Sequence, residues 1–85
     1  MKIFDTNYKL KYVECSNDEF LDKYGDIDFE KKTIRVVNNK YKKATLVHEL
    51  CHAILWELGL EEKAQDEEII NIITKVVLTI MKLVG

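Results

Sequence analysis

The spacing of apolar positions changes midway along the chain, from a period of two to a period between three and four, so strands are expected first and helices afterwards. Over residues 9–14, Lys9 and Lys11 alternate with Leu10 and Tyr12, as in a half-buried strand. Ser16 and Glu19 stand at the spacing of a capping box, and Phe20, Leu21 and Tyr24 follow at helical intervals up to Gly25, which predicts a short helix. Residues 26–38 predict a hairpin. Its strands would be Asp28-Phe29 and Thr33–Val37, joined by the charged turn Glu30-Lys31-Lys32.

From residue 41 to 58, Leu46, Val47, Leu50, Cys51, Ile54, Leu55 and Leu58 recur at steps of three and four, the signature of an amphipathic helix, and Gly59 sits where its C-cap belongs. An acidic link, 60–66, leads to a second long helix over 69–84, marked by Ile69, Ile70, Ile73, Val76, Val77, Ile80 and Val84. Its β-branched residues would also suit a strand, but sixteen residues are too many for one strand in so small a domain. Apolar residues cover more than one stripe of this helix, which points to a homodimer or partner surface there.

Eighty-five residues are enough for one core, so a single domain over 1–85 is expected. With 47% hydrophobic and 33% charged residues the composition is that of a folded globular chain. A net charge of −2 does not steer it towards nucleic acid or an anionic membrane. Cys15 and Cys51 form no C-x-x-C pair and are too few to staple a secreted scaffold, so reduced thiols in a cytoplasmic protein are expected. Charged residues interrupt residues 1–14, unlike a signal peptide, and Asn71, Lys75 and Lys82 break the apolar C-terminal stretch, unlike a membrane span.

The chemistry is concentrated in His48-Glu49-Leu50-Cys51-His52, which holds both histidines of the chain. Residues four apart share one helix face, so the two imidazoles can converge on one metal ion. Glu49 lies about 100° round from His48, beside the ligand face, placed to act as a base on a metal-activated water. Three fixed positions arise by accident on the order of once in a few hundred chains of this length. The motif therefore carries weight through the helix that flanking periodicity predicts around it. The plainer alternative is a pair of histidines making ordinary hydrogen bonds.

A catalytic zinc takes three protein ligands and leaves a position open. Asp66-Glu67-Glu68 is the dense downstream supply of carboxylates. Glu67 is favoured, because Ile70 and Thr74 follow it on one face, with Glu68 and Asp66 as alternatives; acidic residues at a helix start also simply complement its dipole. Cys51 points away from the line of the histidines and is expected in the core, and Trp56 is either a wall of the site or core. Thr45 is either a second contact to the site or surface. Lys40, Lys42 and Lys43 read as a solvated entry to the helix, or as a contact for an acidic partner.

The run from Thr45 to Ile54 around these histidines, preceded by Asp26-Ile27-Asp28-Phe29-Glu30-Lys31-Lys32-Thr33-Ile34-Arg35-Val36, resembles the ImmA/IrrE-type zincin metallopeptidases, especially their short phage-borne relatives. The resemblance covers roughly residues 10 to 80. It implies an α+β fold, a small antiparallel sheet packed on the active-site helix and a C-terminal helix, with the strand Thr33–Val37 edging the cleft. It further implies His48, His52 and Glu67 as zinc ligands, Glu49 as general base, and a protein or peptide substrate, cleaved after pairing with that strand edge. The chain departs from the family in showing no separate DNA-binding or sensor segment and no downstream His or Tyr to stabilise an oxyanion. The function expected is a zinc-dependent endopeptidase, and the alternative is a catalytically idle zinc-binding domain that binds a regulatory partner.

Overall fold

The computed structural model describes residues 1–14 and 24–85. Five strands precede three helices: β1 (Lys2–Ile3), β2 (Thr6–Asn7), β3 (Lys9–Val13), β4 (Gly25–Asp28), β5 (Thr33–Val37), α1 (Lys42–Glu57), α2 (Glu61–Ala64) and α3 (Glu67–Val84). The result is a small α+β domain with two small sheets. Most of the short helix expected before Gly25 falls on 15–23, outside the described residues, and Gly25 itself begins β4 rather than capping a helix.

The larger sheet has the order β3-β5-β4, and it is mixed, which corrects the expectation of a purely antiparallel one. β4 and β5 form the expected hairpin, although its first strand lies earlier in the chain, with Ile27 opposite Ile34. β3 instead runs parallel to β5, Leu10 beside Ile34 and Tyr12 beside Val36. A parallel pair needs a long crossover, and residues 14–32 supply it. In the loop after β4, the Lys31 amide donates to Asp28 Oδ1 at 2.9 Å, and Lys32 closes the turn at a φ of 51°.

The β1–β2 hairpin was not foreseen. Its two-residue turn opens on Phe4 at a φ of 55°, a backbone region usually signalled by Gly or Asn. Glu57, at the C-terminal end of α1, ties the hairpin down: it accepts from Thr6 Oγ1 at 2.8 Å, Tyr8 Oη at 2.7 Å and Lys32 Nζ at 2.8 Å. The three donors, Lys32 first, hold the Glu57 carboxyl at about 2. Burial, reinforced by Glu57, pushes the Tyr8 phenol well above its ordinary value.

α1 lies between the sheet and α3, and each of its sides closes one apolar cluster. Towards the sheet, Ala53 meets Ile3, Tyr8, Ile34 and Val36, with Leu46 and Leu50 packed alongside. Towards α3, Val47 and Cys51 meet Ile70, with Leu55, Ile73, Val77 and Leu78 around them. Cys51 is thus a core residue, as expected, and burial raises its thiol pKa despite a hydrogen bond with Thr74. Gly59, at a φ of 83°, ends α1: its amide donates to the Trp56 carbonyl at 3.0 Å, and that of Leu60 to the Leu55 carbonyl at 3.0 Å. The link that follows is partly helical, since it contains α2. Asp66 caps α3 by accepting from the amides of Glu68 and Ile69 at 3.0 and 3.3 Å. No helix among the described residues is long and apolar enough to cross a membrane.

Candidate metal centre

His48 and His52 project from one face of α1, their ring centroids 5.0 Å apart. Both aim their Nε2 atoms at the same carboxylate. His48 Nε2 lies 3.1 Å from Glu67 Oε2, and His52 Nε2 lies 2.8 Å from Glu67 Oε1. One ligand atom from each residue falls within 4.8 Å of the other two. Glu67 is therefore the acidic residue brought to the histidines. Of its alternatives, Asp66 spends its side chain on the cap of α3, and Glu68 does not join the cluster.

The cap explains the choice. Once Asp66 fixes where α3 begins, Ile70 and Thr74 become its buried residues, and Glu67, one turn before Ile70, points to the same side. The reading of that face from sequence thus agrees with the packing.

A contact invisible in the sequence sets the state of His52. Its Nδ1 makes a short hydrogen bond with the carbonyl of Ala64, the last residue of α2. A carbonyl only accepts, so Nδ1 carries the proton and, in the neutral ring, the lone pair is on Nε2. That lone pair faces a carboxylate oxygen, another acceptor. Two acceptors at 2.8 Å need a cation between them, either a proton or a metal ion. Metal-ligating histidines commonly donate their second nitrogen to a carbonyl in this way, so the donor set fits a divalent ion of the zinc class. Ala64 is wholly buried, and its small side chain suits the close approach of α2 to α1 that the contact requires.

The three candidate ligands sit in a cleft of about 470 Å³ lined by Gly25, Asp26, Ile27, Phe29, His48, Glu49, His52, Gln65 and Glu67. Glu49 and His52 are each only 6% exposed. The strand bordering this cleft is β4, which corrects the expectation that Thr33–Val37 would do so. That strand is the centre of the sheet, with β3 and β4 paired on its two sides, so it has no free edge.

Gly25, the helix end that the sequence pattern predicts, instead lies at the cleft. A Cβ there would come within 2.7 Å of the Arg35 carbonyl and 2.7 Å of Thr45 Cγ2, and within 3.6 Å of Glu49 Oε2. Glycine is what allows β4 to lie against α1 beside Glu49. Thr45 is accordingly packed against the strand. Phe29 was not singled out from sequence; it stacks on Trp56 with centroids 4.2 Å apart and presents an edge to His52 at 6.4 Å. Trp56 therefore supports the wall of the cleft. Lys40, Lys42 and Lys43 are exposed, as a solvated entry requires.

No family model, curated protein or solved structure matches the chain. Its chemistry is accordingly read from the side chains of this cleft. A base buried beside two imidazoles and a carboxylate, with open space in front, is an arrangement suited to metal-assisted hydrolysis.

Proposed function

We propose that the chain is a zinc-dependent metallo-endopeptidase of the zincin type, with His48, His52 and Glu67 as the ligands of the ion. The observation that carries this reading is the convergence of both Nε2 atoms on the Glu67 carboxylate, with the His52 tautomer set by Ala64. Three protein donors leave one place in a four-coordinate shell for solvent or substrate, as catalytic rather than structural zinc requires. When bound, zinc supplies Lewis acidity, lowering the pKa of a coordinated water and polarising a carbonyl oxygen.

The remaining work belongs to the protein. Glu49 takes the proton of the attacking water and returns it to the departing amine, which avoids expelling an amide anion. Its burial keeps the carboxylate in the cleft, and Gly25 leaves room for it beside β4. Among the described strands, β4 pairs on one side with β5, and its other side borders the cleft. An extended peptide can bind along it by backbone pairing, which needs little side-chain selectivity. The substrate class is therefore a protein or peptide presenting an extended segment.

Zinc analysis of the purified chain together with the variant Glu49→Gln tests the proposal. One zinc per chain in both proteins is expected, with cleavage of an unfolded protein such as reduced casein by the wild type alone. Zinc in both and cleavage by neither would leave a catalytically idle zinc domain. Absence of stoichiometric zinc from the wild type would remove both readings.

A further inference from the structure

The side of α3 turned away from the sheet and α1 carries a second apolar stripe. Ile72, Val76, Ile80 and Leu83 are 57, 53, 52 and 79% exposed, whereas Ile70 and Thr74 on the same helix are buried. With half-buried Ile69 the stripe spans about 21 Å of helix. Large aliphatic side chains in one contiguous row mark a contact surface rather than scattered exposure.

Its spacing says what fits. From Ile69 through Ile72, Val76 and Ile80 to Leu83 the steps are three, four, four and three residues, the same read from either end. A two-fold axis at Val76 then sets Ile72 against Ile80 of another copy, Ile69 against its Leu83, and Val76 against itself. Such self-matching is what a two-fold interface demands. The charges select the direction. Glu68 lies in the first turn of α3 and Lys82 in the last, and in the antiparallel arrangement they meet within about 3 Å along the axis, twice per pair. A parallel arrangement would oppose Glu68 to Glu68 and Lys82 to Lys82. Glu68, Lys75 and Lys82 lie about 80°, 100° and 120° round from Val76 on one flank, so the Glu68–Lys82 pairs sit at the rim of the seam with Lys75 between them.

We propose that the chain forms an antiparallel two-fold dimer through α3, centred on Val76. Nine residues separate Val76 from Glu67, about 900° of helix rotation, so the seam is half a turn from the metal ligand. Both clefts stay open in the dimer, and pairing does not depend on metal.

Sedimentation equilibrium on the purified chain, with and without a chelator, gives the test. The expected result is a reversible monomer–dimer equilibrium in both conditions. Val76→Glu places two carboxylates on the axis and is expected to weaken pairing by about 100-fold or more, with an unchanged circular dichroism spectrum. Lys82→Glu should weaken it about fivefold, and Glu68→Lys combined with Lys82→Glu should restore it. A second probe is Val76→Cys in a Cys15→Ser background, for which oxidation is expected to link residue 76 of one copy to residue 76 of the next. A wild type that stays monomeric at every concentration overturns the proposal, as does a dimer indifferent to Val76→Glu. Failure of the charge exchange to restore pairing overturns the antiparallel register.

Discussion

α1 and α3 are both amphipathic, but each breaks the rule of apolar inside and polar outside, in opposite senses. α1 buries Glu49 and His52, while α3 leaves Ile72, Val76, Ile80 and Leu83 mostly uncovered. Buried polar groups are tolerated only with partners; no buried side-chain N or O among the described residues lacks one. Exposed aliphatic groups lose stabilisation that burial would supply. Departures of this kind are the informative ones, because stability alone would have removed them. On α1 the departure faces a cleft, and on α3 it faces outwards. The two departures thus lie on different helices, although α3 also presents Glu67 to the cleft from its other side.

Several substitutions would break or sharpen this contrast. The largest effect is expected from His52→Ala, which removes one of the three proposed ligands and the imidazole held by Ala64; stoichiometric zinc should be lost, as measured by equilibrium dialysis. Next comes a pair two residues apart on α3. Ile70→Ala should cost about 2–5 kcal/mol in urea unfolding, because Ile70 is wholly buried. Ile72→Gln should change monomer stability by no more than about 0.5 kcal/mol. Equal costs at the two positions would mean that the outer stripe is covered within the monomer.

Gly25→Ala is expected to destabilise by about 1–3 kcal/mol, because its Cβ would meet both Arg35 and Thr45. Thr45→Ser in the same chain should recover only part of this, since the carbonyl of Arg35 cannot be trimmed. The smallest effect concerns Glu57. Its carboxyl is lowered from 4.5 to about 2, so its contribution to stability is complete above the ordinary carboxylate range and disappears as pH falls through about 2. Glu57→Gln should therefore lower the thermal midpoint at neutral pH and flatten its decline between pH 4.5 and 2. An unaltered acid limb would show that other carboxylates govern it.

Much of the site was legible because it is local. The step of four residues from His48 to His52 makes about one turn wherever a helix forms, and the periodicity around them demanded a helix. Glu67 followed from similar reasoning, since Ile70 and Thr74 mark the inner face, whereas the cap made by Asp66 emerged only in the structure. The β1–β2 hairpin was hidden because Phe4, rather than Gly or Asn, takes the left-handed turn position.

What the chain determined by its residue order alone comes down to periodicity, capping and the H-E-x-x-H turn, all set by interactions between neighbours a few residues apart. Tertiary structure decided the rest: that β5 is the centre of the sheet and β4 its edge at the cleft, that Gly25 makes room for Glu49, and that the Ala64 carbonyl orients His52. These depend on strand pairing and close approach between distant segments, and a backbone carbonyl leaves no residue type to read. The same residue can cap a helix or begin a strand, and only packing against α1 chose between them for Gly25.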